Sequence, residues 1–493
     1  MKKYFYILVF AVLMGGLTSC NDWLDVSPKD RIPADKMFES ESGFKDILTG
    51  AYLKLGTANL YAGDMKYGYL DELAGLYCDY PGYNTNSVYN QAIVFDYTNQ
   101  FLSKKDNLYL EMYNVVANLN NLLQNIETHR DVLKTPHYYE CIKGEALGLR
   151  AFIYFDLLRL FGPIYSEHPT DAAIPYKTTY DKEPTPVLPA NQVVEKILED
   201  LKAAEALLKD NDPCDFHTAI DQRTDFLSNR EFRMNLYAVK AMLARVYCYS
   251  GQNDLAVQYA QEVIDANKYF TLYKSQTASN YNSIRYGEQI FGLSVNQLNN
   301  TLISNSMDME NTSVQQRYGM TADMFTKVYE GITSDWRQNV VAFNWDESHQ
   351  YAFCLKYNQA PLADNSGADA IPLIRLPEMY YIIAECAANA ETSAEALNTV
   401  RLSRGIPYSD EIHTLGYDDK DATSEENKQQ TRRINEIMKE YRKEYYAEGQ
   451  LFFFLKAHHY TTYYGCGVAN MTSKEYQMPL PDNEKIFGNN TTK

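Results

Sequence analysis

Apolar residues recur along most of this chain every three or four positions, the spacing that lines one face of a helix. Phe44, Ile47, Leu48 and Ala51 mark a first helix over about 42–54. Leu108, Met112, Val115, Val116, Leu119, Leu122, Leu123 and Ile126 make a long second stripe. Ala146, Leu149, Phe152, Ile153, Leu157 and Leu160 make a third, stopped by Gly162-Pro163. After a proline-bearing loop from Pro163 to Pro189, Asn191 is placed to cap a helix striped by Val193, Val194, Ile197, Leu198, Leu201, Ala204 and Leu208. Asn235 to Ser250 and Asp254 to Ala266 form a pair turning at Gly251, and a last long helix is predicted from about Arg432 to Lys456. Two stretches break the pattern. Gly56 to Asn99 is dense in Tyr, Asn, Gly and Asp around a Pro81-Gly82 turn, and Tyr269 to Tyr357 holds only short β-like pieces such as Gln289 to Val295. Irregular stretches that long are either disordered or functional, and their aromatic content argues against disorder.

The helices also repeat. Ala244, Tyr247, Gly251 and Ala256 have the spacing of a tetratricopeptide helix-turn-helix, in which small residues let two antiparallel helices approach. Ala384 to Ala396 keeps the same gap between small residues, with Pro377 in the first turn of the leading helix and Gly405 and Pro407 ending the second. The predicted fold class is therefore mostly α: tetratricopeptide-like helical hairpin repeats with long irregular loop excursions.

The N-terminus departs from this scheme. Lys2 and Lys3 precede an apolar run from Tyr4 to Leu17, then small residues and Cys20, which reads as a secretory signal too short to span a bilayer. A cysteine at the cleavage position resembles a bacterial lipoprotein signal. Residues 1–19 are then removed, Cys20 carries diacylglyceryl and acyl groups, and residues 20–40, with Pro28 and Pro33, form a tether. At ~0.8 kcal/mol per buried methylene, several chains on one residue anchor the protein firmly. Residues 41–493 make one body, with halves of about 41–268 and 269–493. Without the signal, 44 basic side chains face 64 acidic ones, a charge of −20, which repels nucleic acid and excludes it as a partner.

Candidate chemistry is sparse. Seven further cysteines, Cys78 to Cys466, show neither a disulfide framework nor C-x-x-C. Cys248 and Cys386 read as small core residues, and one disulfide among the others stays open. The histidines form no metal set, His458-His459 being adjacent, and no H-E-x-x-H, G-x-S-x-G or P-loop occurs. Nothing supports catalysis, a metal, or any cofactor beyond the acyl groups on Cys20. With 42 Tyr and 21 Phe against 3 Trp, most rings are expected to pack between helices. A pyranose needs an aromatic face beside hydrogen-bonding groups for its hydroxyl rim. Tyr77, Asp79, Tyr80, Tyr83, Asn84 and Tyr89 supply that mixture in the first irregular stretch, and Tyr281, Tyr286, Trp336 and Trp345 in the second.

Several motifs, in order, resemble those of the SusD/RagB family of outer-membrane nutrient-uptake lipoproteins of the Bacteroidetes. Cys20-Asn21-Asp22-Trp23-Leu24-Asp25 is similar to the family's start. Gly144-Glu145-Ala146-Leu147-Gly148-Leu149-Arg150-Ala151 with Tyr154 to Gly162 resembles its central signature. Arg375-Leu376-Pro377-Glu378-Met379-Tyr380, Ala384-Glu385-Cys386 and Val400-Arg401 resemble the second, Glu440, Glu444, Glu448 and Gly449 the third, and Leu480-Pro481 with Glu484 the end. Where the family continues with a basic and then an acidic residue, this chain has Gln450-Leu451-Phe452-Phe453-Phe454, which puts a hydrophobic contact in place of an ion pair. Its proline also comes early, at Pro163.

The resemblance implies a helical body that sits as a lid on a SusC-like TonB-dependent outer-membrane barrel and passes it oligosaccharide or, in some members, peptide. It also implies a structural role for the Asp335-Trp336-Arg337 turn. Glu145, Arg150, Arg159, Glu378, Glu385 and Arg401 lie among apolar residues and are expected to be structural ion pairs, since a buried charge must be paired. Three readings follow: oligosaccharide binding, peptide binding, and a surface enzyme acting on glycans.

Overall fold

The computed structural model describes residues 36–78, 80, 92–216, 225–274, 282–298, 318–338, 342–357, 369–424 and 426–488. Cys20 and the signal lie outside them, as do Asp79, Tyr83, Asn84, Tyr89 and Tyr281.

Fourteen helices are seen among the described residues. The chain opens with α1 (Glu41–Leu55), α2 (Tyr69–Leu73), α3 (Asn99–Ile126), α4 (Tyr138–Phe161) and α5 (Ala190–Leu208). It continues with α6 (Leu236–Tyr249), α7 (Asn253–Ile264), α8 (Ala322–Val328), α9 (Leu376–Cys386) and α10 (Ala390–Ser403). The last are α11 (Arg432–Glu444), α12 (Leu451–Ala457), α13 (Ser473–Tyr476) and α14 (Asp482–Phe487). Their starts follow side-chain chemistry. The Asn235 amide oxygen accepts from Ala238 N at 2.9 Å, and the Asn389 amide oxygen from Thr392 N at 2.8 Å. The predicted Asn191 cap is corrected. The helix starts two residues earlier, at Ala190 behind Pro189, and the Asn191 side chain accepts from the adjacent Gln192 N.

The helices α1, α3, α4, α5, α6, α7, α9 and α10 pack in succession, each on the next, as stacked hairpins. The predicted tetratricopeptide-like units are α6–α7 and α9–α10, and the mostly α fold class holds. Helix α4 is buried on nearly all sides. Its two glycines make room for neighbours: a Cβ on Gly144 would come within 2.8 Å of Leu208, and one on Gly148 within 2.5 Å of Met234.

Short strands brace the irregular stretches. β1 (Ala172–Pro175) pairs antiparallel with β2 (Val187–Pro189), and β3 (Gln289–Ser294) pairs with β7 (Ala370–Arg375). β4 (Gly319–Thr321), β5 (Phe343–Asp346) and β6 (Tyr351–Cys354) form an antiparallel sheet in the order β4-β6-β5. The β-like segment 289–295 is thus a strand.

The predicted helix 432–456 is two helices, α11 and α12, joined by a tight bend in which Ala447 and Gly449 adopt φ of 65° and 68°. All seven body cysteines are free thiols; Cys386 is buried as expected, whereas Cys248 is only half-buried at the edge of the core.

Each predicted structural charge finds a partner. Glu145 pairs with Arg233 at 2.9 Å, Arg150 with Asp200 at 2.7 Å and Arg401 with Glu440 at 2.6 Å. Glu378 takes both ends of the Arg245 guanidinium, Glu385 meets His458 at 3.1 Å, and Arg159 pairs with Asp156. In the run after Glu448, the Phe454 ring packs on Tyr441 at a centroid distance of 4.6 Å, as expected of an apolar contact, while Phe453 makes a cation–π contact instead, 3.6 Å from the Arg159 guanidinium.

Candidate functional site

The two irregular stretches meet at the β4-β6-β5 sheet. Cys78 N donates to Gly319 O at 2.9 Å, and the Tyr351 hydroxyl donates to Cys78 O at 2.7 Å, which lays Cys78 along the sheet. Alternation along β5 then splits its side chains between two faces. Phe343 and Trp345 pack on Phe325 of α8, at ring-centroid distances of 5.1 and 4.9 Å. Asn344 and Asp346 belong to the opposite face, which carries Tyr351 and Phe353 across the ladder. Tyr80 docks there, edge-on to Tyr351 at 5.0 Å and 5.6 Å from Phe353.

Asp346 gathers this corner. Its carboxylate accepts from Ser348 N at 3.0 Å and Ser348 Oγ at 2.6 Å, a local turn that closes the β5–β6 hairpin. It also accepts from the Tyr80 hydroxyl and lies 2.7 Å from His349 Nδ1. The Ser348 and Tyr80 hydroxyls, with His349, hold the Asp346 carboxyl well below the usual carboxylate range. An ionised Asp346 assigns the proton of His349 to Nδ1 and leaves Nε2 on the outer edge of a half-exposed ring. Asn344 is half-buried on the same face, and Trp345 is half-buried on the opposite one. The corner therefore offers an amide, an imidazole edge and a fixed carboxylate, a set suited to hydroxyl groups, with the half-open indole on the other face of the same strand.

The far flank of α8 borders a second polar surface. The Tyr464 hydroxyl donates to Asp323 Oδ2 at 2.9 Å, and the Lys327 ammonium lies 4.3 Å from the Tyr464 ring. Beyond them is a cleft of about 490 Å³ walled by Glu426, Glu436, Lys439 and Arg442.

Of the other predicted residues among those described, three are core. Tyr77 is 1% exposed, donates to Tyr67 O at 2.6 Å and packs on Tyr318 and Tyr446. Tyr286 is buried and donates to Glu231 Oε1 at 2.5 Å. Trp336 donates from Nε1 to Ser403 O at 2.9 Å, with Arg285 and Arg404 about 5 Å from its ring. Their faces are covered, so none of the three presents a stacking platform. Tyr80, at 5% exposed, is docked too, although its hydroxyl reaches the cluster. Only Trp345 stays half-open. Asn344, Asp346 and His349 escaped the sequence reading; the signal was the Asp-x-Ser-His turn following a two-residue alternation.

Comparison with known proteins fits this geometry. A family model described as starch-binding and associating with the outer membrane matches residues 22–248, and a SusD family model matches residues 269–492. The chain belongs to the SusD/RagB family. A SusD-like protein, P2, from Formosa agariphila is 24% identical over 277 residues, 55% of this chain and 48% of that protein. P38 from the same organism is 26% identical over 215 residues, 42% and 38% respectively. The chain spans about half or less of the length of these curated relatives. Among solved structures, a SusD superfamily protein from Bacteroides thetaiotaomicron superposes with a TM-score of 0.65 at 20% identity, covering 91% of this chain and 98% of that one. A SusD-like carbohydrate binding protein from Bacteroides vulgatus gives 0.67 at 19% identity, covering 92% and 97%. At such identities the likeness concerns the SusD fold. Among the described residues no helix is long and apolar enough to cross a membrane.

Proposed function

We propose that this SusD/RagB member is a lipid-anchored protein of the outer-membrane surface that binds oligosaccharide and delivers it to a SusC-like TonB-dependent barrel, without catalysing a reaction itself. The observation that carries the binding role is the hairpin corner. Asp346, His349 and Asn344 offer hydrogen-bonding partners for sugar hydroxyls there, and Trp345 is the half-open indole on the other face of the same strand. The starch-binding description of the N-terminal family model and the carbohydrate-binding relative favour glycan over peptide as the ligand. The lid role and the anchor at Cys20 rest on family membership and on the signal sequence.

A glycan array probed beside a peptide library tests the ligand class. Glycan binding without turnover is expected, and Trp345→Ala should weaken it about tenfold or more, read on the folded protein because the indole also packs on Phe325. Retention of full affinity by Trp345→Ala would remove the hairpin corner from the ligand face, and peptide binding alone would replace the glycan reading. For the anchor, Cys20→Ser should leave a folded protein that partitions into the aqueous phase. A variant still in the membrane with no barrel present would refute the lipid anchor.

A further inference from the structure

A second recess opens far along the sequence from the hairpin, where α1, the turn 225–233 and the end of β3 meet. Its volume is about 270 Å³, and none of its walls comes from the Trp345 corner. One side is apolar: Leu53, 68% exposed at the mouth, with Phe232 and Leu293. The other side carries two polar groups that the fold leaves unused. Asn229 is 93% buried in a left-handed backbone conformation (φ 52°), and its amide oxygen has no hydrogen-bond partner among the described residues. Four residues on, the Arg233 guanidinium is held between the rings of Tyr52 and Phe226, at 5.0 and 4.0 Å. Its Nε donates to Glu145 Oε2 at 2.9 Å, whereas Nη2 is buried without a partner among the described residues.

Buried polar groups in folded proteins are almost always bonded, so an idle acceptor and an idle donor at one recess ask for a ligand that both donates and accepts. A hydroxyl does both, and two neighbouring hydroxyls present the two functions side by side. A trans amide, by contrast, sends its N–H and C=O to opposite sides, whereas both unused groups hang from the same turn. The apolar side suits the C–H face of a sugar ring, and the volume falls just below the range for drug-sized ligands.

We propose that this recess is a second carbohydrate site, which takes a single pyranose ring by a vicinal diol between Asn229 and Arg233, its C–H face against Leu53, Phe232 and Leu293. The inference stands apart from the hairpin reading, because the test begins by deleting that site. Saturation-transfer NMR is run on the detergent-solubilised full chain carrying Trp345→Ala. The probes are the methyl α-pyranosides of glucose, mannose and galactose, with glycylglycine as the peptide probe. Transfer to at least one pyranoside should persist in this background, and should fall about tenfold when Leu53→Arg closes the mouth or Asn229→Gly removes the acceptor. Glycine keeps the left-handed backbone, so Asn229→Gly is expected to fold. If its thermal midpoint drops, the exposed Leu53→Arg variant decides alone. Absence of transfer to every pyranoside, transfer indifferent to Leu53→Arg, or transfer to glycylglycine alone would each overturn the proposal.

Discussion

The side chain of Tyr80 does two things at once. Its ring closes a small apolar patch with Tyr351 and Phe353, and its hydroxyl bonds to Asp346 and reaches His349 Nδ1 at 3.1 Å. Tyr80→Ala removes both and should cost about 3 kcal/mol of unfolding free energy, read by urea denaturation. Tyr80→Phe keeps the ring and should cost only about 1 kcal/mol. A Tyr80→Ala protein of unchanged stability that has lost its ligand would instead put the ring in the binding face. Tyr77, only three residues earlier, shows why composition alone could not sort these rings. Both tyrosines sit in the same Tyr/Asn/Gly-rich stretch, yet Tyr77 turns beneath Tyr446 and Tyr80 lies on the sheet. The strand that receives Tyr80 lies more than 260 residues away in sequence. Residue type announced a face with aromatic and polar character, and the long-range strand pairing decided which ring remained open.

At the scale of elements, the amphipathic helices were legible because each buries a continuous stripe, and α1, α3 and α5 lie where their apolar spacing placed them. The bend between α11 and α12 was not. The apolar spacing of Ile437, Met438 and Tyr441 runs on through Leu451, Phe454 and Leu455, and only Gly449 hinted at an interruption. The break has a tertiary cause. Gly449 N donates to Asp71 Oδ1 at 2.9 Å, and a Cβ there would stand 2.3 Å from Met65 O. Helix α11 therefore ends where the chain must press against the segment before α2. Gly449→Ala should lose about 3 kcal/mol or more, because a left-handed φ and a backbone clash act together. Gly331→Ala is the control: its φ is 69° but nothing lies within 4 Å of the added carbon. That substitution should lose only about 1 kcal/mol. Equal losses in matched urea titrations would show that the clash relaxes away and that the left-handed backbone alone explains the bend.

Across the whole molecule, the C-terminal half is bound together by charge. Arg375, at the end of β7, reaches Glu288 at 3.1 Å, Glu444 at 2.7 Å and Glu448 at 2.7 Å. Arg404, just past α10, pairs with Glu288 and Glu444, both at 2.9 Å, and Arg337 joins Glu444 to Glu440. The sequence motifs located several of these charges, but a motif does not name partners 40 to 116 residues apart. Fully buried ions of this kind are held by each other, so removing one partner costs far more than the pair contributes against an apolar replacement. Burial alone would raise the Glu448 carboxyl, but Arg375, Lys356 and Lys66 bring it down to about 2. Burial likewise opposes ionisation of Glu444, yet Arg404, Arg285 and Arg375 hold it well below the usual range. Both folded values lie below the unfolded value of 4.5, so their stabilisation is complete above that pH and is lost as pH falls through the folded values. Glu448 alone contributes about 3 kcal/mol on this scale. The contribution of these two carboxylates should therefore be nearly flat between neutrality and about pH 5 and fall steeply toward pH 2. Glu448→Gln should raise the unfolding equilibrium constant about a hundredfold or more at pH 7, because Arg375 and Lys356 lose a buried partner, and its acid limb should be shallower. An acid limb of the same slope in wild type and Glu448→Gln would place the acid sensitivity outside this network, in the repulsion among cations left as the other acidic side chains are neutralised.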